Sequence, residues 1–251
     1  MARASKKAEG SKAGKPPAAI VPRDRIIDAL MALAEEERFE EITLKQIAER
    51  ADVSLADFRE HFASKLAILG AFGRRIDRVV LEGTTGDLAE ENSKERLFDV
   101  LMRRFDALTP YREGLRGISE WLRRDPSAAP AINRMAFNSM RFMLEAADID
   151  TGGRIGALKI QGLVLAMAQV TRTWLNDEDP GLAETMAELD RTLIRGGKVV
   201  ERAKEVDRLV SPVAAMARGV VDAGVTFLRN RGPSFGRRRR DQESNAAANE
   251  I

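Results

Sequence analysis

The sequence predicts an all-α protein, with a small module of short capped helices, then a bundle of longer ones, and a basic tail at each end. Three observations carry this expectation. Between the tails, apolar residues recur at i, i+3, i+4 and i+7. Three helix-start signals crowd into residues 42–65. Charge is segregated: residues 24–228 hold 29 bases and 35 acids, whereas 1–23 hold six bases to one acid and 229–240 hold six bases to none.

Taken in order, Ile27, Leu30, Met31 and Ala34 mark one face of a first helix from about Arg23 to Glu37. Thr43 and Gln46 form a capping box, and Ile42 just before the cap can staple onto Ile47. The device repeats at Ser54, with Asp57 at the positive end of the helix dipole and Val53 placed to meet Phe58. Ser64 opens a fourth helix, from Lys65 to about Leu81. The bundle follows. A helix from Lys94 to Leu108 carries Leu97, Phe98, Leu101, Met102 and Phe105 on one stripe, and the next, opened by Pro110, turns Leu115, Ile118, Trp121 and Leu122 inward. A third carries Ile132, Met135, Phe137, Met140, Phe142 and Met143 over more than one face, as a buried helix does. Gly152 and Gly153 break the chain before an apolar helix at 154–176. Helices at 182–208, with Gly196-Gly197 as a kink or stop, and 211–229 complete the pattern.

The stretch "EEITLKQIAERADVSLADFREHFASKLAIL" resembles the helix-turn-helix of TetR-family repressors: a Thr-capped helix carrying Ile47-Ala48, a Val53-Ser54 turn, a recognition helix closing on His61-Phe62, then Ser64-Lys65. The resemblance is specific over about residues 23–75 and architectural beyond. It implies a three-helix DNA-binding domain followed by a ligand-sensing, dimerising helical domain. The DNA-binding residues it implies are Thr43, Lys45, Ser54, Leu55, Ala56, Arg59, His61 and Lys65. The chain departs from the family pattern at Asp52, where Gly is usual in the turn, at Ala56-Asp57 in place of Gly-Thr, and at Arg59 in place of a phosphate-contacting Tyr. Asp52 tolerates a left-handed backbone less well than Gly does. Arg59 replaces the lost contact with a charged one. Asp57 and Glu60 oppose phosphate.

Residues 23–75 hold nine bases and eleven acids, so affinity from counterion release depends on how those charges are distributed. Glu35 to Glu41 belong to the end of the first helix and its loop, away from the groove-facing set. The basic N-terminal arm can add minor-groove or backbone contacts.

The resemblance also implies a homodimer built on the last two long helices, 154–176 and 182–208. Leu158, Gly162, Leu165, Ala166, Gln169 and Trp174 are its interface candidates. Leu101, Phe105, Trp121, Met135, Phe142 and Met143 could line a pocket for an apolar effector, although such a stripe is more often ordinary core. An alternative reading is a lipid- or isoprenoid-handling scaffold. Trp174, Asp177, Asp179, Pro180, Thr185, Leu189 and Asp190 are weakly similar to TetR-fold accessory proteins of ubiquinone biosynthesis, and the amphipathic helix at 211–229 beside the Arg cluster suits an anionic membrane.

The expected organisation is thus a disordered basic arm at 1–22, a DNA-binding domain at 23–75, a regulatory and dimerisation domain at 76–210, an amphipathic helix at 211–229 and a disordered Arg-rich tail at 230–251. With no cysteine and a single histidine, thiolate and histidine-cluster metal sites are excluded, and neither catalysis nor a cofactor is expected. Asp177 and Asp179 read as solvated loop charges. The absence of a bilayer-spanning apolar run leaves a cytoplasmic protein as the expectation.

Overall fold

The computed structural model describes residues 21–84 and 90–205, and every regular element among them is a helix. The expected segments at 211–229 and 230–251, and the arm up to residue 20, lie outside the described residues.

Helix α1 (Pro22–Glu36) starts on a proline at its first position, where the missing N–H costs nothing, and buries Ile26, Ile27, Leu30, Met31, Leu33 and Ala34. Helix α2 (Leu44–Arg50) has the expected capping box: Gln46 N–H donates to Thr43 Oγ1 at 3.2 Å, and Thr43 N–H donates to Gln46 Oε1 at 2.8 Å. Asp52 then takes φ 51°, the left-handed turn position anticipated for it. Helix α3 (Leu55–His61) is capped by Ser54, and α4 (Lys65–Glu82) by Ser64. The expected domain boundary at 75/76 falls inside α4, whose buried residues run from Ile68 to Val80.

Asn92 caps α5 (Ser93–Leu108), accepting from the Lys94 and Glu95 amides. A short 3-10 turn at Thr109–Tyr111 leads into α6 (Arg112–Arg124), and another at Pro126–Ala128 into α7 (Ala129–Ala146). Helix α8 (Gly153–Asn176) begins at Gly153, whose φ of 63° favours glycine. A further helix, α9, begins at residue 183 and runs through Gly196-Gly197, which neither stop it nor leave it unwound. A Cβ on either glycine would face open space.

Helix α1 lies between α4 and α6, so the reading head and the bundle share one apolar core, running from Ile26 through Phe105 to Trp174 and Leu189. Its contact with α6 is unusually close. A Cβ on Gly114 would stand 2.8 Å from the Met31 carbonyl oxygen, and one on Gly117 would stand 2.6 Å from that of Ala34. Helix α4 is pinned to the bundle by the buried Asp77, which accepts from Ser139 Oγ at 2.6 Å and pairs with Arg104 at 2.5 Å. Two arginines of α6 close the end of α8: Arg112 donates to the Trp174 and Asp177 carbonyls and Arg116 to that of Leu175, supplying cations where the helix dipole is negative.

Asp177 departs from expectation. It is not solvated but 1% exposed, accepting from the Thr185 amide at 2.8 Å and the Thr185 hydroxyl at 2.7 Å. Those hydrogen bonds, led by the Thr185 hydroxyl, hold its carboxyl below the ordinary aspartate range. This compact unit ends at Lys198, and the described residues of the second, 199–205, are helical.

Candidate nucleic-acid interface

Helix α3 is held by one inward anchor. Phe58 is 2% exposed and Phe62, just past the helix, 5%, while Leu55, Ala56, Asp57, Arg59, Glu60 and His61 are exposed. Seven residues make only two turns, so this short helix relies on caps and on its anchor for stability. Ser54 accepts from the Asp57 amide at 3.0 Å and donates its hydroxyl proton to Asp57 Oδ2 at 2.7 Å. The Asp57 carboxylate is therefore held at the positive end of α3, where the helix dipole favours it. Arg59, by contrast, forms no ion pair or hydrogen bond among the described residues, and His61 stands exposed in the last turn.

The acids at the end of α1 are engaged elsewhere. Glu36 pairs with Arg50 at 2.5 Å, Glu41 with Arg38 at 3.3 Å, and Glu40 with Arg38 and Arg124, while Glu37 accepts from Gln46. Lys45 is exposed and loosely paired with Glu49 at 3.7 Å, and Thr43, also exposed, spends its hydroxyl on the capping box. Between α1 and α3 lies a recess of about 280 Å³ lined by Pro22, Arg25, Ala48, Glu49, Asp52, Val53, Ser54 and Asp57.

Lys65 has partners within the fold. Its ammonium donates to the Phe39 carbonyl at 2.6 Å and to that of Glu40 at 3.4 Å, and it stands 4.7 Å over the Phe39 ring. Burial pushes its pKa down. The physical reason is tertiary: the loop after α1 brings its carbonyls beside the start of α4, and the lysine stem reaches them.

The other two candidate sets separate into what faces out and what is core. On α8, Leu158 (40% exposed) and Leu165 (65% exposed) share an outward stripe with Gly162, and Ala166 is half-buried beside it. Gln169, also outward, donates to Glu188 at 2.7 Å. Trp174 does not belong with them: it is fully buried, its ring 5.5 Å from that of Phe105. The effector candidates do not converge either. Leu101, Phe105 and Met143 are fully buried core, Met135 packs beside Gly70, Phe142 is 54% exposed, and Trp121 stacks 4.6 Å from Phe39 at the reading head. Sequence reasoning missed that Phe39–Trp121–Lys65 junction. It also missed the Gly114-x-x-Gly117 pair in α6, whose i, i+3 spacing was a readable sign of a close helix crossing.

Among the described residues, no helix is long and apolar enough to cross a membrane, and no cluster of histidines and acids has the makings of a metal site. The helix order and the capped helices α2 and α3 define an all-helical protein with an N-terminal helix-turn-helix among the described residues. No family model matches the chain. It is similar to three proteins, each called "HTH-type transcriptional repressor KstR". The Mycolicibacterium smegmatis protein is 34% identical over 30% of this chain and 37% of its own length. The Rhodococcus jostii protein is 28% identical over 53% of this chain and 55% of its own length. The Mycobacterium tuberculosis protein is 38% identical over 23% of this chain and 26% of its own length. The chain thus spans between about a quarter and about half of these relatives.

Two solved structures share the fold. A TetR transcriptional regulator from Nitrosomonas europaea gives a TM-score of 0.55 at 25% identity, over 70% of this chain and 97% of the other. One from Rhodococcus sp. RHA1 gives 0.52 at 20% identity, over 70% and 95%. The chain thus has the fold of these regulators, and its helix-turn-helix resembles theirs. Several of the residues that suggested a lipid-handling scaffold have structural roles: Asp177 accepts from Thr185 in the first turn of α9, Leu189 is core, and Asp190 pairs with Lys94 at 2.7 Å.

Proposed function

We propose that this chain is a DNA-binding transcriptional repressor that acts as a homodimer and is released by an apolar small molecule. What supports this most is α3: a capped helix, anchored by Phe58, that turns the unpaired Arg59 with Leu55, Ala56 and His61 toward solvent. In this reading α3 enters the major groove, where Arg59 meets phosphate or a guanine edge. Thr43, Lys45 and Ser54 flank it. Of the acids in residues 35–41, Glu36, Glu40 and Glu41 are paired with arginines, which reduces their opposition to that positive charge. Kinship with proteins named as KstR repressors points the same way.

The dimer follows from the exposed α8 stripe of Leu158, Gly162 and Leu165, a self-complementary apolar surface suited to a two-fold axis. Paired reading heads then address two half-sites. An apolar effector works by preferring one spacing of the heads and shifting the population away from DNA. Leu101, Phe105 and Met143, fully buried on α5 and α7, are the residues such a molecule would have to repack around.

The test is fluorescence anisotropy of the full-length protein with a duplex from its own upstream region over a salt series. Nanomolar binding that weakens steeply with salt supports the reading. No binding below micromolar protein, with retention on anionic vesicles, would replace it with the scaffold function.

A further inference from the structure

We infer that Glu60 of α3 reads a base: its carboxylate accepts from the N4 amino group of a cytosine in the major groove, and so sets part of the operator sequence. This rests on the proposed repressor function and deepens it, from binding DNA to choosing which DNA is bound.

The fold puts Glu60 on the outermost ridge of α3. At about 100° per residue, the positions two before and two after the buried Phe58 stand about 160° round the helix from it, and these are Ala56 and Glu60. Both are exposed. Of the positions beside them, Asp57 is committed to the cap, its Oδ2 accepting from the Ser54 hydroxyl at 2.7 Å. Arg59 stands about 100° round the helix from Glu60, so it can face a backbone while Glu60 faces base edges. Glu60 itself has neither an ion pair nor a hydrogen bond among the described residues, so its acceptors are free for a ligand.

The chemistry of the groove then selects the base. A carboxylate accepts hydrogen bonds and donates none. Guanine offers acceptors at N7 and O6, and thymine one at O4, so both repel it. Adenine has a donor at N6 but an acceptor beside it at N7, which opposes one of the two carboxylate oxygens. Cytosine alone presents a donor, N4, with no acceptor of its own on that edge. Phosphate oxygens are anionic and repel Glu60 outright. A carboxylate drawn from water without finding a donor loses its hydrogen bonds, so Glu60 works by excluding wrong sequences as much as by attracting the right one.

The experiment puts full-length wild type, Glu60→Gln and Glu60→Ala through selection from a randomised duplex pool, and measures the recovered sites by fluorescence anisotropy. Glu60 is exposed and caps nothing, so both variants are expected to keep the fold. Wild type should require cytosine at one position of each half-site, any other base there weakening binding about five- to 150-fold. Glutamine has both a donor and an acceptor and pairs with adenine N6 and N7, so Glu60→Gln should move that preference to adenine. Glu60→Ala should lose the preference at that position and keep the others. Recovered sites without a cytosine preference in wild type, or with one that persists in both variants, would overturn the readout alone. So would tighter binding of every duplex by Glu60→Ala with an unaltered preference, the mark of a carboxylate that only repels phosphate. If wild type recovers no duplex from the pool, the repressor function itself fails and the readout falls with it.

Discussion

The close crossing of α1 and α6 can be tested with two glycines that differ only in what surrounds them. A Cβ on Gly117 would lie 2.6 Å from the Ala34 carbonyl oxygen, a backbone atom that no rotamer change can move. That is about 0.7 Å inside the roughly 3.3 Å at which carbon–oxygen contacts settle. Relieving it requires the helices to separate, at an overpacking cost of about 1–3 kcal/mol. Gly73, in the interior of α4, has nothing within 4 Å of the same atom. Ala there should stabilise by about 1 kcal/mol through helix propensity alone. Gly117→Ala gains that same propensity, so the difference between the two variants isolates the clash, at about 1–3 kcal/mol. For a domain of 150–250 residues this separates their Tm values by about 2–12 °C, at roughly 2–4 °C per kcal/mol. Thermal unfolding followed by circular dichroism measures it. Equal shifts in the two variants, or a gain for Gly117→Ala, would show that α1 and α6 are not in backbone contact.

Other expectations concern separate parts of the molecule. Arg59→Ala should weaken duplex binding and reduce the salt slope by about 0.9, the share of one phosphate contact, whereas an unchanged slope places Arg59 off the backbone. Leu165→Asp, made at a position 65% exposed, should leave the fold intact while turning a dimer into a monomer in sedimentation velocity. Phe105→Ala removes a fully buried ring packed on Trp174 and should cost about 3–5 kcal/mol in denaturant unfolding. Asp177 has its carboxyl pKa lowered by Thr185, so its contribution is present above the unfolded value of about 3.9 and is lost as pH falls through the lower folded value. Asp177→Asn should therefore flatten the acid limb of the stability profile, and an unchanged limb would show that the pair contributes nothing.

Local rules made the reading head legible, because its elements are fixed by contacts three or four residues apart. The Thr43–Gln46 box, the Ser54 and Ser64 caps and the left-handed turn at Asp52 all stand where the residues imply. Core stripes such as Leu97, Leu101 and Phe105 were readable for the same reason, since helical period reports one buried face. What escaped were choices made between distant segments. Lys65 shares its motif position with groove-facing residues, yet carbonyls 25 and 26 residues earlier in the chain claim its ammonium. Trp174 lies on the same apolar helix as Leu158 and Leu165, but at nine residues past Leu165 the helical period puts it about half a turn away, on the face that turns to Phe105 while theirs turns to solvent. Asp177 read as a loop acid because nothing nearby in sequence announced that Thr185 would fold back onto it.

Footprinting of the chain's own upstream DNA by the full-length protein bears most directly on whether α3 reads a groove. The expected pattern is two protected half-sites, symmetric and one or more helical turns apart, that disappear together in Arg59→Ala. Uniform cleavage up to micromolar protein, or protection that ignores sequence and survives Arg59→Ala, would mean that the helix presenting Leu55, Arg59 and His61 is not a DNA-reading element.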